Sequence, residues 1–262
     1  MTLSTIRNNP AKQKKVKTKK QKAIAATCAV AFWLLVWHVV SLCVGSELVL
    51  VSPVKVVQTL FTVIFDPDFL KTVWYSAARI LGGFFTALML GTVLGWVASR
   101  FWVVETLLRP ITAVIKATPV ASFIILVLLW FSGKNLSVII SMLMVFPVIY
   151  MNVLEGIRSA DEELLEMAQV FRLSVSKKLL YIYLPAVAPF FVSACSVSLG
   201  LCWKSGIAAE VIGTPDGSIG AVFYQAKIFL QTSELLAWTV VVVAVSVAFE
   251  KLFMFLLRLV LK

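Results

Sequence analysis

The stretch EMAQVFRLSVSKKLLYIYLP, residues 166–185, separates two long apolar runs of the chain. It carries several charged side chains, whereas the runs before and after it carry few. A polar segment between apolar stretches of this length is typical of a loop that joins two membrane spans. The region therefore predicts a helical membrane protein.

The composition agrees with this prediction. Of the 262 residues, 60% are hydrophobic and 14% are charged, and the mean hydropathy is +0.96. These values lie far outside the range of soluble globular domains. A bilayer accepts helices that are apolar on all sides, because each helix satisfies its own backbone polar groups.

About six runs approach the roughly 20 apolar residues that a membrane span needs. They lie at residues 23–44, 72–98, 107–131, 136–154, 185–209 and 236–261. Pro119 is expected to divide the third run into an interfacial helix and a shorter span, because proline disfavours helix in the residue before it. We expect an all-α transmembrane bundle, with residues 1–22 as a basic tail and residues 23–262 as the membrane domain.

The positions of Lys and Arg predict the orientation, since short cytoplasmic loops carry an excess of them. Residues 1–22 hold eight of these cations, and alternation from an internal tail also places Arg100, the 158–178 loop and Lys262 inside. Both termini are therefore expected in the cytoplasm. We interpret the tail as a topology determinant that attracts membrane lipid rather than as a nucleic-acid-binding arm.

No residue pattern points to catalysis, metal binding or ATP binding. The four cysteines form no C-x-x-C pair, and His38 is the only histidine. Gly133-Lys134 is not a P-loop, because Leu128 stands where the first glycine is needed and Asn135 where Ser or Thr is needed. We expect no catalytic residue, no metal and no cofactor, and any ATP must be bound by another chain.

The loop at residues 157–184 has the pattern of an amphipathic helix outside the membrane. Ser159 and Glu162 form a capping box that predicts its start, and the acidic residues 161–163 suit the helix dipole. Ser174 is placed to cap a second helix that leads into the next span. The predicted apolar face consists of Leu164, Ala168 and Phe171.

This loop resembles the signature of the membrane subunits of ABC importers. In that family it reads Glu-Ala-Ala, three residues, Gly, nine residues, Ile, one residue, Leu-Pro. Every spacing is kept here, with Met167 at the first Ala and Arg172 at the Gly. The residues that align with the signature are Glu166, Ala168, Arg172, Ile182, Leu184 and Pro185.

Other stretches extend the resemblance to about residues 60–257. Residues 76–95, 108–131 and 203–213, together with Phe146-Pro147, are similar to permeases of the nitrate/sulfonate/taurine type, which have the MetI-like fold. The resemblance implies a permease subunit of an ATP-driven importer in the prokaryotic plasma (inner) membrane. It would carry a small organic anion or a vitamin precursor that an extracytoplasmic binding protein delivers.

The resemblance also implies partners and roles. Residues 157–184 would be a coupling loop that docks on an ABC ATPase subunit, with Glu166, Ala168 and Phe171 facing or framing the contact, and a second permease copy would complete a homodimer. The family's Gly permits a left-handed turn that Arg172 disfavours, so we expect the turn at Leu173 or Ser174, or a helical form.

Charged residues within spans usually face the protein interior or water. The candidates for the translocation path are Arg79, Lys204 and Glu210. Lys204 would present a cation to an anionic substrate, unless it pairs with a carboxylate or extends to an interface. Gly82, Gly91 and Gly95 predict close contacts between helices.

Two other classes of transporter stay open on the residues alone. A membrane subunit of an energy-coupling-factor importer also joins ATPases through cytoplasmic helices. A secondary transporter would need internal repeats and an ion site at mid-membrane, and neither stands out in this sequence.

Overall fold

The computed structural model describes residues 19–260, and all the regular elements among them are helical. They are α1 (Lys19–Val44), α2 (Pro53–Ile64), α3 (Phe69–Arg100), α4 (Trp102–Ala117), α5 (Val120–Leu128), α6 (Gly133–Arg158), α7 (Glu162–Val170), α8 (Val175–Lys178), a π-helix (Leu179–Tyr183), α9 (Leu184–Gly213), α10 (Ile219–Ile228) and α11 (Thr232–Val260). The prediction of an all-α protein is confirmed. Most of the basic tail, residues 1–18, lies outside the described residues.

The chain divides into two compact units, Met1–Pro53 and Val54–Lys262. In the first unit α1 is an apolar helix, followed by a turn in which Gly45 has a φ of +64°. The indole N–H of Trp37 donates to the carbonyl of Val51 at 3.1 Å and fastens this turn to the helix. The boundary predicted after residue 22 lies inside α1.

Within residues 19–260, five helical segments are long and apolar enough to cross a membrane, and the bent pair α4–α5 makes a sixth span if it is counted as one. The two helices of the pair meet at 105°. Thr118, which precedes Pro119, has an extended backbone with a ψ of 133°, as proline requires of the residue before it. The predicted division at Pro119 is confirmed. With nine residues, α5 is about 14 Å long and too short to cross alone.

The helices α3, α6 and α9 form the centre of the second unit. The largest side chains of their shared core are Phe84, Ile149 and Trp203, each at most 1% exposed. Phe253 of α11 packs edge-on against Phe84, with the ring centroids 5.3 Å apart. The loop at residues 157–184 therefore connects two of the central helices, α6 and α9.

Glycines bring α3 and α6 into backbone contact. A Cβ placed on Gly91 would lie 2.9 Å from Cβ of Ile149, and one on Gly95 would lie 3.0 Å from Cβ of Val153. The predicted contacts are confirmed at these two positions. The prediction is wrong at Gly82, which has no atom within 4 Å of such a Cβ. The close contact falls on Gly83 instead, because the helix turns that residue toward α6.

Candidate functional site

The loop after α6 begins with a helix cap at Asp161. Its Oδ1 accepts a hydrogen bond from the backbone N–H of Glu163 at 2.9 Å, and α7 starts at Glu162. The predicted capping box at Ser159 is wrong, because the Ser159 hydroxyl donates to the carbonyl of Gly156 in the preceding helix. An aspartate directly before the helix is as good a cap as serine and stands closer to the N–H groups that need an acceptor.

Arg172 makes the turn that ends α7. Its φ is +51°, so the residue at the family's Gly position adopts the left-handed conformation itself. The N–H of Arg172 donates to the carbonyl of Gln169 at 3.0 Å, and the N–H of Leu173 to that of Ala168 at 2.9 Å. This pair of bonds is a Schellman motif, in which the left-handed residue is usually glycine. The expected turn at Leu173 or Ser174 is wrong, since the bonds and the packing of the loop fix it at Arg172.

The inner side of the loop is formed by small and apolar residues of the signature. Ala168 is fully buried and Ile182 is 7% exposed, and they share a cluster with Ala160. Leu165 and Leu173 pack against the same cluster. Ala168 thus lies inside the loop and holds its two halves together.

The apolar face predicted for α7 is correct only at Ala168. Leu164 is 41% exposed and Phe171 is 71% exposed, whereas Leu165 points inward. The helix is rotated relative to the prediction, so that Leu165 rather than Leu164 packs against the cluster of Ala168 and Ile182.

Glu162 and Glu163 of α7 are exposed beside Glu166, and from Glu166 onward the outer side of the loop is mainly apolar. We call these residues the outer face of the loop: Glu166, Met167, Val170, Phe171 and Val175. Val170 and Val175 are 79% and 73% exposed. Exposed apolar patches of this kind occur where a protein contacts another protein or the membrane.

The base of the loop is tied to α4 by one ion pair. A guanidinium nitrogen of Arg158, at the end of α6, lies 2.5 Å from a carboxylate oxygen of Glu105. The pair is partly exposed and stabilises the protein by about 0–1 kcal/mol. Its main effect is to orient the start of the loop.

The loop leads into α9 through the short helix α8 and the π-helix Leu179–Tyr183. Ser174 stands at the N-cap of α8, as predicted, although its side chain makes no capping hydrogen bond. In the following π-helix the N–H of Leu184 reaches back five residues to the carbonyl of Leu179. Pro185 comes next and has no N–H to donate, so the regular α-helical ladder resumes only after it.

An apolar groove of about 740 Å³ lies beside this π-helix. It is bounded by Trp96 of α3, by Val153 and Ile157 of α6, and by Leu180 and Leu184 on the loop side. Leu184 of the signature therefore faces the spans rather than the outer face of the loop.

The three ionisable candidates within the spans have different surroundings. Glu210 is fully buried and accepts a hydrogen bond from the hydroxyl of Ser76 at 2.6 Å, so it lines no open path in this conformation. Arg79 is half-buried, donates to the hydroxyl of Tyr75, and lies close enough for its charge to act on Glu210. Lys204 is exposed and makes no ion pair within residues 19–260.

Sequence reasoning missed two kinds of residue. The serines that surround Glu210, Ser76 and Ser137, stand in apolar runs, and nothing in the sequence shows that they meet. Asp161 and the exposed residues Val170 and Val175 were detectable, because an aspartate before two glutamates is a cap signal and valines in a polar loop are unusual.

Comparison with known proteins identifies the family. The family described as "Binding-protein-dependent transport system inner membrane component" matches residues 87–262, which include the whole loop and α9 to α11. The chain belongs to this family. It is a multi-pass inner-membrane protein and a permease subunit of an ABC importer, as the loop signature predicted, rather than an energy-coupling-factor subunit or a secondary transporter.

Individual relatives of this inner-membrane component are permeases as well. SsuC of Bacillus subtilis, provisionally named as an aliphatic sulfonates transport permease protein, is 29% identical over 81% of this chain and 78% of its own. The taurine transport system permease protein TauC of Escherichia coli is 27% identical over 82% and 80%. The nitrate import permease protein NrtB of a Synechocystis species is 26% identical over 78% and 76%.

A solved structure supports the fold of the inner-membrane component. The crystal structure of an amino acid ABC transporter with histidines aligns over 72% of this chain and 94% of its own, with a TM-score of 0.51 and 16% identity. At this identity the likeness concerns the fold alone.

Proposed function

We propose that two copies of this permease form the translocation path of an importer for small anions of the nitrate or sulfonate type. In this proposal each copy docks one ABC ATPase through the outer face of its loop, and an extracytoplasmic binding protein delivers the substrate. The permease binds no cofactor of its own, because ATP is bound by the ATPase. Both termini and the 157–184 loop lie in the cytoplasm.

The proposal rests on one observation: the loop has a buried inner side and an exposed outer face. Ala168 and Ile182 bury the inner side, so the loop is a folded body rather than a flexible connector. The outer face exposes Val170 and Phe171 around the carboxylate of Glu166. An apolar patch that adjoins exposed carboxylates is suited to a groove on another protein that supplies cations.

The proposed mechanism is alternating access. ATP binding closes the two ATPases, and the loops move with them. Because the loop is continuous with α6 through Arg158 and with α9 through the π-helix, its displacement is applied directly to two of the three central helices. The path then opens outward to the binding protein, and hydrolysis restores the inward-open state.

The position of Lys204 supports two parts of the proposal, the anionic substrate and the second permease copy. It stands within the α9 span, and its exposed charge would be costly if it faced lipid. One turn earlier, Gly200 has no atom within 4 Å of an added Cβ, so this face of α9 is open. A second copy placed against it would enclose a path with two lysines. Glu210 is buried against Ser76 of α3 and does not line this path in the present conformation.

The substrate class also agrees with the relatives. The names of TauC and NrtB state taurine and nitrate, and the name of SsuC refers to aliphatic sulfonates. Nitrate and sulfonates are anions, and taurine carries a sulfonate group. A path that presents Lys204 suits this chemistry, because a lysine ammonium pairs with an oxyanion as a point charge.

Affinity purification of the tagged permease from gently solubilised membranes tests the proposal. The wild type is compared with Glu166→Lys, and mass spectrometry identifies what is recovered. Asp216→Lys is the matched control, since Asp216 is an equally exposed acid in the turn before α10. We expect an ATPase with the wild type and with the control, and its loss with Glu166→Lys. Wild-type protein without an ATPase would refute the proposal.

A further inference from the structure

The groove of about 740 Å³ beside the π-helix lies at the loop end of the spans. On α3 its lining runs from Thr92 to Trp96, and α3 ends one turn later at Arg100. The helix between Thr92 and Arg100 is about 12 Å long. This length is close to the roughly 15 Å of hydrocarbon in one leaflet, half of a bilayer core. The groove therefore reaches from the end of the spans toward the middle of the bilayer.

The walls of the groove are apolar apart from Thr92 and Ser176. Val153 of α6 forms part of its floor and is 2% exposed. Val93 and Trp96 of α3 are 57% and 52% exposed, so the groove is open along α3. An open apolar groove at this depth is filled most favourably by an apolar chain, because water gains no hydrogen bonds from such walls.

Cations surround the loop end of the groove. Lys177 and Lys178 follow directly after Ser176, which lines the groove, and Arg100 stands one turn after Trp96 on the same face of α3. We call Arg100, Lys177 and Lys178 the rim cations. None of them forms an ion pair among the described residues. Lys178 is also partly buried, where a charge without a counter-ion is costly.

The nearby carboxylates do not neutralise these cations. Glu155 of α6 is two positions from both Val153 and Ile157, which line the groove, so it points to the other side of that helix. Glu166 belongs to the outer face of the loop. A groove that is apolar along its length and cationic at its end matches a molecule with an acyl chain and an anionic head group.

We propose that the groove binds one acyl chain of an anionic phospholipid of the cytoplasmic leaflet, and that the rim cations hold its phosphate. Basic pockets between spans on the cytoplasmic side are typical sites for such head groups. A second permease copy fits the groove less well, because a two-fold contact through this face would bring the rim cations of both copies together.

The bound lipid would support the segment that joins the loop to α9. Leu179, Leu180 and Tyr183 of the π-helix all line the groove, so an acyl chain in it packs against the segment through which the loop acts on the spans. The site rests on the proposed function in one respect, because the cytoplasmic position of the loop decides which leaflet supplies the lipid.

Quenching of tryptophan fluorescence by brominated lipid tests the site. The tagged permease, together with the subunits that co-purify with it, is held in phosphatidylcholine nanodiscs. One series contains an increasing fraction of phosphatidylglycerol that is brominated midway along its acyl chains, and a parallel series contains brominated phosphatidylcholine. Because the chain has eight tryptophans, the signal of Trp96 is taken as the difference between the wild type and Trp96→Phe.

We expect brominated phosphatidylglycerol to quench Trp96 half-maximally at about a tenfold lower fraction than brominated phosphatidylcholine, since each cation near an anionic head group adds severalfold to the affinity. The control reporter is Trp33, an exposed tryptophan of α1, measured in the same way with Trp33→Phe. The two lipids should quench it equally.

Matched variants test the rim cations. Lys177→Gln combined with Lys178→Gln should remove most of the preference for phosphatidylglycerol and leave the quenching by brominated phosphatidylcholine unchanged. Lys251→Gln is the control, because Lys251 is an exposed lysine of α11 that lines a different cavity.

Three results would overturn the lipid site. Equal quenching of Trp96 by the two lipids would mean that it meets only bulk membrane. No quenching of Trp96 by either lipid would mean that protein, such as a second copy or the ATPase, covers the groove. A double lysine variant with the wild-type preference would exclude the rim cations as the head-group site.

The lipid site and the proposed function fail in different experiments. A wild type that recovers its ATPase but shows no preference for phosphatidylglycerol would refute the lipid site alone. A wild type that shows the preference but recovers no ATPase would refute the proposed function while supporting the lipid site.

Discussion

The N–H of Leu173 donates a hydrogen bond to the carbonyl of Ala168 at 2.9 Å, across a residue that is left-handed without being glycine. Together with the burial of Ala168 against Ile182, this bond explains why the signature keeps its spacing. The second Ala and the Ile are the two sides of one contact, and the Gly position is the turn between them. The loop signature is therefore mainly a folding motif, and Glu166 is its member on the outer face.

The backbone of Arg172 leads to the first prediction. A left-handed conformation costs a residue with a Cβ about 1–2 kcal/mol, and glycine adopts it freely. We expect Arg172→Gly to stabilise the turn by about 1 kcal/mol and to slow hydrogen exchange at the amide of Leu173. Arg172→Ala is the control, because it removes the side chain and keeps the Cβ. Equal exchange in the Gly and Ala variants would show that the backbone is not strained.

The burial of Ala168 leads to the second prediction. A larger side chain in a packed site costs about 1–3 kcal/mol. We expect Ala168→Leu to separate the two halves of the loop, to lower the melting temperature and to reduce recovery of the ATPase. Gln169→Leu is the control, since Gln169 is adjacent to Ala168, exposed, and not part of the outer face. Wild-type melting and recovery with Ala168→Leu would mean that the inner cluster has no role.

The glycines of α3 lead to the third prediction. Gly91→Ala places a methyl group 2.9 Å from the Ile149 side chain, so α3 and α6 must move apart. Gly82→Ala meets open space and gains up to about 1 kcal/mol of helix propensity. We expect thermal unfolding in detergent to show a lower melting temperature for Gly91→Ala and an equal or higher one for Gly82→Ala. The reverse order would contradict the close packing of α3 on α6.

The sequence was sufficient for the membrane fold, since length and hydropathy fix a span almost without regard to neighbours. It was also sufficient for the break at Pro119, which is a local steric effect. The sequence was insufficient to predict which of two neighbouring residues faces the interior when only tertiary packing distinguishes them. The error at Gly82 is of another kind, because Gly83, Ala87, Gly91 and Gly95 stand four residues apart on one buried face of α3 and this spacing already distinguishes Gly83 from Gly82.

The same limit applies to the candidate site. Helical spacing placed Leu164 on the inner face of α7, but Leu165 occupies it because Ile182, 17 positions later, lies on that side. The sequence placed the end of the fifth span at residue 209, one residue before Glu210, whereas α9 continues through Glu210 to Gly213. Ser76, a partner of Glu210, lies 134 residues earlier in the chain, and Gly220 lies 10 residues later. No local sequence pattern connects either residue with Glu210.

Lys204 leads to the last prediction, which concerns the substrate. If the exposed ammonium faces the path, its removal takes away a charge-assisted contact with the anion, worth about tenfold in transport efficiency. We expect Lys204→Ala to lower the uptake of taurine or nitrate, whichever the importer carries, and Lys204→Arg to preserve most of it. Lys227→Ala is the control, because Lys227 is an exposed lysine on α10. Measurement of radiolabelled uptake in cells that carry the whole importer separates the outcomes: a Lys204→Ala protein that transports the anion as well as the wild type would place Lys204 at the lipid interface instead of the path.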